Sequence, residues 1–215
     1  MIDIAHEIAA MEREVGRGQI AAGEGHAVRL RRTFDAPIED VWDALANPER
    51  LSRWFLPISG DFRVGGRFQL EGNAGGEILA CERPHLLRVT WLYGESSGDV
   101  AGSELEVRLV PGTEGATVLQ LDHTSVVPDE QWAEYGPGAV GVGWDGGLLG
   151  LALHLRGSSV GDPIAWQRSA EGRAFATRSS EAWGEAYRAS GADSEAVDRA
   201  VANTTAFYAP PRNVG

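Results

Sequence analysis

His123 lies near the end of the run "ATVLQLDHTS" (116–125), in which Leu119, Leu121 and His123 share one parity while Gln120 and Asp122 take the other. An imidazole on the apolar side of a strand, near its end, can serve as acid, base or ligand donor. The expectation is instead a core residue hydrogen-bonded to loop backbone. Trp91 and Trp144 offer ring faces for stacking on an aromatic ligand, and the same faces serve as packing. Trp54 and Phe55 are expected at the mouth of any cavity, or in the core beneath it. Phe68, Tyr93, Leu121 and Leu148 complete the set expected to line a binding site.

Other chemistry has less to work with. Cys81 is the single cysteine, and Arg83 is the one basic residue close to it in sequence, so nucleophilic reactivity has little support. His6, His26, His85, His123 and His154 show no HxH, HxxxH or HExxH spacing, and no metal site is expected. There is no GxSxG elbow, no P-loop and no GxGxxG following a strand. "GPGAVGVGWDGG" (136–147) is glycine-rich, but no strand immediately precedes it and no lysine follows. No catalytic set can be assembled and no cofactor is expected.

Composition narrows the classes further. A formal net charge of −12 argues against a general phosphate-backbone binder. One cysteine provides no disulfide framework and suits a reducing, cytoplasmic setting. "MIDIAHEIAAMEREVGRG" has neither a basic n-region nor a continuous apolar core, so no signal peptide is expected. The longest apolar stretch is interrupted by Asp145 and His154, which argues against a membrane helix.

These residues must be held by elements whose order the spacing suggests. Residues 3–15 read as an amphipathic helix with Ile4, Ile8, Met11 and Val15 on one face, and glycines at 16, 18, 23 and 25 read as a flexible joint. "HAVRLRRTF" (26–34) alternates as a strand. Two short helices follow, with Pro37 at the first helical position of one, and Asn47 and Pro48 starting the other. Strands are expected over 65–72, 75–83, 85–93, 103–110 and 116–125, a meander with one apolar face carrying Leu87, Val89, Trp91, Tyr93, Leu105, Val107, Leu109, Leu119 and Leu121. Val140, Trp144, Leu148, Leu151 and Leu155 then make a helical stripe that covers this sheet. The glycines among them either leave room or allow close approach. Beyond 158, "DPIAWQRSAEGRAFATRSSEAWGEAYRASG" and "DSEAVDRAVANTTAFYAP" each read as one helix. Asp193 or Ser194 caps the second, and Pro210 and Pro211 stop it.

Strand, two short helices, meander and long helix is a helix-grip order. The pieces "APIEDVWDALANPERLSRWF", "GGRF", "GGEILACERPHLLRVTWLY" and "GWDGGLLGLALHL" resemble the START-like SRPBCC superfamily. Within it they resemble most the branch named for the C-terminal domain of the activator of the heat-shock-protein-90 ATPase. The resemblance implies an α+β fold, a curved antiparallel sheet around a long C-terminal helix, with a cavity between them. It implies three units: an N-terminal helix (1–22), the helix-grip domain (23–157) and a helical extension (158–215) like that of some bacterial members. Many relatives bind apolar small molecules, and others are chaperone partners.

Three functions follow as expectations. One is binding of an apolar or aromatic small molecule. The second is a protein-interaction module, including a chaperone partner, suggested by the acidic surface and the extra helices. The third is a cyclase, dehydratase or hydrolase, which needs polar groups converging in the cavity. The apolar faces of the extension, with Trp166, Phe175 and Trp183, are expected to pack on their own domain, as a lid over the cavity, or across a homodimer.

Overall fold

The computed structural model describes residues 2–93 and 102–210. Its chain order is α1 (Ile4–Ala9), β1 (Met11–Ile20), β2 (Gly23–Phe34), α2 (Ile38–Ala46), α3 (Pro48–Leu51), β3 (Ile58–Gly60), β4 (Arg67–Leu70), β5 (Ala74–Glu82), β6 (Leu86–Thr90) and β7 (Leu92–Tyr93). After these come β8 (Gly102–Pro111), β9 (Thr117–Val126), α4 (Asp129–Tyr135), α5 (Gly138–Leu155), α6 (Pro163–Arg168), α7 (Ala170–Ala189) and α8 (Ser194–Tyr208). The strands form one sheet in the order β1-β2-β9-β8-β6-β5-β4-β3, with β7 paired to β5. Every pairing is antiparallel. The α+β helix-grip expectation holds.

On β8 and β9 the meander keeps the parity read from the sequence, whereas Tyr93, expected on the same buried face, is half exposed. Leu105, Val107 and Leu109 on β8 oppose His123, Leu121 and Leu119 on β9, and all six are buried. Asn47 caps α3 through Oδ1, which accepts from the N–H groups of Glu49 and Arg50, while Pro48 starts the helix. Pro37 sits one place earlier than expected, at the cap of α2 rather than inside it.

The N-terminal helix over 3–15 is overturned. Only Ile4–Ala9 is helical, and Met11–Ile20 is an edge strand paired to β2 from Met11↔Arg32 to Ile20↔Gly23. Met11 and Val15 are four apart, which satisfies a helical face and a strand parity alike. Residues 1–22 are therefore not a separate helix, since β1 belongs to the sheet. The supposed joint is this hairpin. A Cβ at Gly18 would meet Thr124 Oγ1, and one at Gly25 would meet the Ser125 carbonyl. These glycines let the coiled edge of the sheet approach β9.

Helix α5 is buried on two sides, which its single expected stripe does not describe. Leu148, Leu149, Leu151, Ala152 and Leu153 are all buried, and complete burial of each leucine stabilises by roughly 1.5–3 kcal/mol. A helix apolar all round is a buried one. Asp145, read as an interruption, is fully buried on the side facing β1 and α7. Its Oδ2 accepts from Arg13 Nε at 3.1 Å, from Arg13 Nη2 at 2.9 Å and from Ser179 Oγ. On that side a Cβ at Gly141 would lie 2.3 Å from Trp183 Cε2. The glycine is there for close approach.

The first expected tail helix breaks at Ser169, whose extended backbone and Oγ cap α7 by accepting from the Gly172 N–H. Asp193 caps α8 as expected, and Pro211 lies outside the described residues. Trp183, Phe175, Val197 and Thr204 are buried, Trp166 is half-buried and Ala170 is exposed. Helices α7 and α8 thus pack on their own chain, against α5. Among the described residues no helix is long and apolar enough to cross a membrane.

Candidate functional site

Two cavities flank the N-terminal half of α5, and the expected site residues divide between them. The first, of about 170 Å³, lies between the sheet, α2, α3 and α5. Trp54, Phe55, Phe68, Trp91, Leu121, Trp144 and Leu148 all line it. The strands contribute Val89, Leu105 and Val107 from their inward parity, and Trp42 and Leu45 close it from α2. Among the described residues no charged side chain lines it. Trp54 donates its indole N–H to the Ala44 carbonyl, which ties the end of α3 to α2. Half-exposed Phe62 and the exposed Cys81 stand at the rim.

Glycines shape this cavity where α5 passes it. Gly147 lines the cavity, and a Cβ there would meet Phe55 at 3.6 Å, an ordinary contact. One turn on, a Cβ at Gly150 would come within 2.9 Å of the Trp54 carbonyl. So Gly147 preserves volume, whereas Gly150 lets the chain after α3 approach the helix.

His123 and Tyr93 are not in this cavity, contrary to expectation. Both line a second one of about 220 Å³, near the start of α5, enclosed by β2, β7, β8, β9 and α4. Tyr93 is half exposed. Trp91 borders both cavities, and Trp144 packs on it with ring centroids 4.9 Å apart. The pair forms the wall between them.

The hydrogen bonds of His123 fix its tautomer. Trp144 Nε1–H donates to Nδ1 at 2.9 Å. An indole nitrogen only donates, so Nδ1 carries no hydrogen and the proton is on Nε2. Nε2–H then donates to Ser103 Oγ at 2.6 Å, with Ser125 Oγ at 3.3 Å. Burial pushes the pKa of His123 down to about 4, because the charged form would be stripped of water. These partners are side chains, not the loop backbone expected.

Sequence reasoning missed the second cavity because α4 was not foreseen. Pro128 before "DEQWAEY" was the available signal, with acidic residues in the first turn. Trp132 on α4 stacks on His26 of β2 with ring centroids 3.8 Å apart and 5° between planes. Its indole N–H donates to Tyr187 Oη, which fixes the ring. The expected lid is overturned as well: among the residues lining either cavity, none comes from α6, α7 or α8. Those helices cover the other side of α5. Among the described residues no cluster of three His, Cys, Asp or Glu could hold a metal ion.

Comparison with known proteins agrees with this geometry. Residues 35–155 match the model of the family described as Activator of Hsp90 ATPase homolog 1-like protein. The crystal structure of CalU16 from Micromonospora echinospora is 35% identical, over 83% of this chain and 99% of that one, with a TM-score of 0.67. The solution structure of CalU16 gives 36% identity, 84% and 97% coverage, and a TM-score of 0.69. Protein MLL2253 from Mesorhizobium loti is 26% identical over 61% of this chain and 96% of its own, with a TM-score of 0.52. No curated protein matches the chain. The likeness to CalU16 covers more than residues 35–155 can supply, so it extends beyond the segment common to the family. On its sequence and its architecture alike, the chain belongs to the Activator of Hsp90 ATPase homolog 1-like family.

Proposed function

We propose that the protein binds an apolar or aromatic small molecule in the cavity between sheet and α5. The observation that carries this reading is a space of about 170 Å³ walled by aliphatic and aromatic side chains, with no charged group among the described residues facing it. A dry apolar cavity of roughly 150 Å³ is enough for a benzene-sized ligand, so this one suits a single ring. A filled core would give the same fold with better packing, since each unfilled volume forfeits dispersion contacts. Retaining Gly147 opposite Phe55 keeps that volume empty.

The geometry of His123 supports binding over acid–base chemistry. Its one lone pair is occupied by the Trp144 N–H, and its proton is directed to Ser103. It offers no free base to a ligand in the apolar cavity.

Toluene, followed by NMR of the Val107 and Leu148 methyl groups and by thermal unfolding, tests the proposal. Saturable methyl shifts and a melting temperature that rises with toluene concentration are expected. Gly147→Leu, which fills the space beside Phe55, should remove both effects while the protein remains folded. Toluene without effect on the native protein would overturn the reading.

A further inference from the structure

We propose that the second cavity, of about 220 Å³ beside His123, is a separate binding site for a neutral small molecule carrying a hydrogen-bond-accepting oxygen, such as an aryl ketone. The inference does not depend on the apolar cavity being occupied. It rests on a count of hydrogens. Trp144 Nε1–H spends the lone pair of His123, and His123 Nε2–H is spent on Ser103. Ser103 and Ser125 then hold two hydroxyl hydrogens and share one bond, Oγ to Oγ at 3.1 Å. Whichever donates, one hydroxyl hydrogen has no acceptor among the described residues.

That spare donor faces a hollow. Ser103 and Ser125 both line the cavity; Ser103 is 5% exposed and Ser125 is half-buried. Buried polar hydrogens are normally satisfied, and an oxygen acceptor supplied by a ligand would complete the chain from indole to imidazole to hydroxyls. Apart from Gln131, the remaining walls, Val28, Trp91, Trp132 and Val140 among them, are mainly apolar or aromatic and suit the body of such a molecule.

The lining also defines the charge of the ligand. Among the described residues it contains no Asp, Glu, Lys or Arg, and its two imidazoles, His26 and His123, are both disfavoured in their charged form by burial. A carboxylate or an ammonium ion would enter without a counter-charge, at the cost of its hydration. A ketone or a phenol loses far less.

Acetophenone and its isostere α-methylstyrene, which replaces the carbonyl oxygen by a methylene, separate the donor from mere volume. The readouts are the His123 Nε2–H resonance and the backbone amides of Ser103 and Ser125. Acetophenone is expected to shift them saturably and to bind at least tenfold more tightly than the isostere. Ser125→Val removes one hydroxyl hydrogen together with the Oγ–Oγ bond, so one spare donor remains on Ser103 and the preference for acetophenone over the isostere should persist. Toluene binding at the Val107 and Leu148 methyls should stay within twofold. Equal affinity of the two probes in the native protein, shifts confined to the apolar cavity, or a Ser125→Val protein that no longer prefers acetophenone would each overturn this site and leave the toluene result standing.

Discussion

Trp144 and His123 join helix to sheet through one hydrogen bond, indole Nε1–H to imidazole Nδ1 at 2.9 Å, with the two rings edge to face at 88°. That contact sets the imidazole tautomer, anchors α5 over β9 and places Trp144 in the wall between the two cavities. Trp144→Phe should keep most of the packing on Trp91 but leave Nδ1 without a donor. A buried acceptor left unmade costs about 1–3 kcal/mol. Trp144→Ala should cost more, roughly 3–5 kcal/mol, because the ring is lost as well. Denaturant unfolding measures both, and an alanine variant within 1 kcal/mol of native would mean that α5 does not depend on this contact.

Stability should fall on mild acidification, and His123 should carry much of the effect. Its folded pKa of about 4 lies below the unfolded value of about 6.5. Between these limits the unfolded chain takes up a proton that the folded one refuses, so stability is lost as pH falls. The slope from this residue is at most about 1.4 kcal/mol per pH unit. His26 and His154 are also lowered, first by burial and then by nearby arginines, and act in the same sense. Asp145, pushed up by burial, acts in the opposite sense. His123→Asn should therefore flatten the profile between pH 6.5 and 4 without abolishing it. An unchanged slope in that variant would remove His123 from the explanation.

The glycines of α5 should separate by their neighbours. Gly146 has nothing within 4 Å of a built Cβ, so Gly146→Ala should stabilise by up to about 1 kcal/mol through helix propensity. Gly141→Ala has to displace the Trp183 ring and should destabilise despite the same gain in propensity. Melting temperatures of the two single variants give the signs directly. If both rise, the close approach of α5 and α7 is not what holds Gly141.

Much of this arrangement is legible in the sequence, for reasons that also explain the failures. The meander is readable because Leu105, Val107, Leu109, Leu119 and Leu121 alternate with polar residues on a sheet wet on one face. Seven of the nine expected site residues line one cavity because inward parity and the long helix converge there. Where a spacing fits two periods the reading fails: Met11 and Val15 suit helix and strand, and only pairing with β2 decides. Asp145 was misread because burial of an ion pair depends on Arg13, 132 residues away, coming alongside. His123 left the expected cavity because Trp144 reaches past Trp91 to meet it, and α4 walls off a second space. No local pattern encodes such a partition.

Glu7 ties the N-terminal segment to the rest of the chain, although only α1 holds it. Its carboxylate accepts from Arg32 Nη2 on β2 and from Arg156 Nη2 after α5, at 2.5 and 2.6 Å. Glu7 and Arg32 are buried, whereas Arg156 is half exposed. Burial alone would raise the carboxyl, but the two guanidiniums outweigh it and hold the pKa below the usual range. A depressed acid stabilises the fold above its unfolded pKa, and that contribution is lost as pH falls through the lower folded value. Glu7→Gln leaves Arg32 charged and unpaired in a buried place, and breaking such a pair costs about 3–5 kcal/mol. Arg156→Ala removes the exposed partner and should cost no more than about 1 kcal/mol. Urea unfolding of both variants should therefore rank Glu7→Gln well below Arg156→Ala. Equal losses would show that the N-terminal segment is held by Ile4 and Ile8 packing on the core, with the ion pairs contributing little.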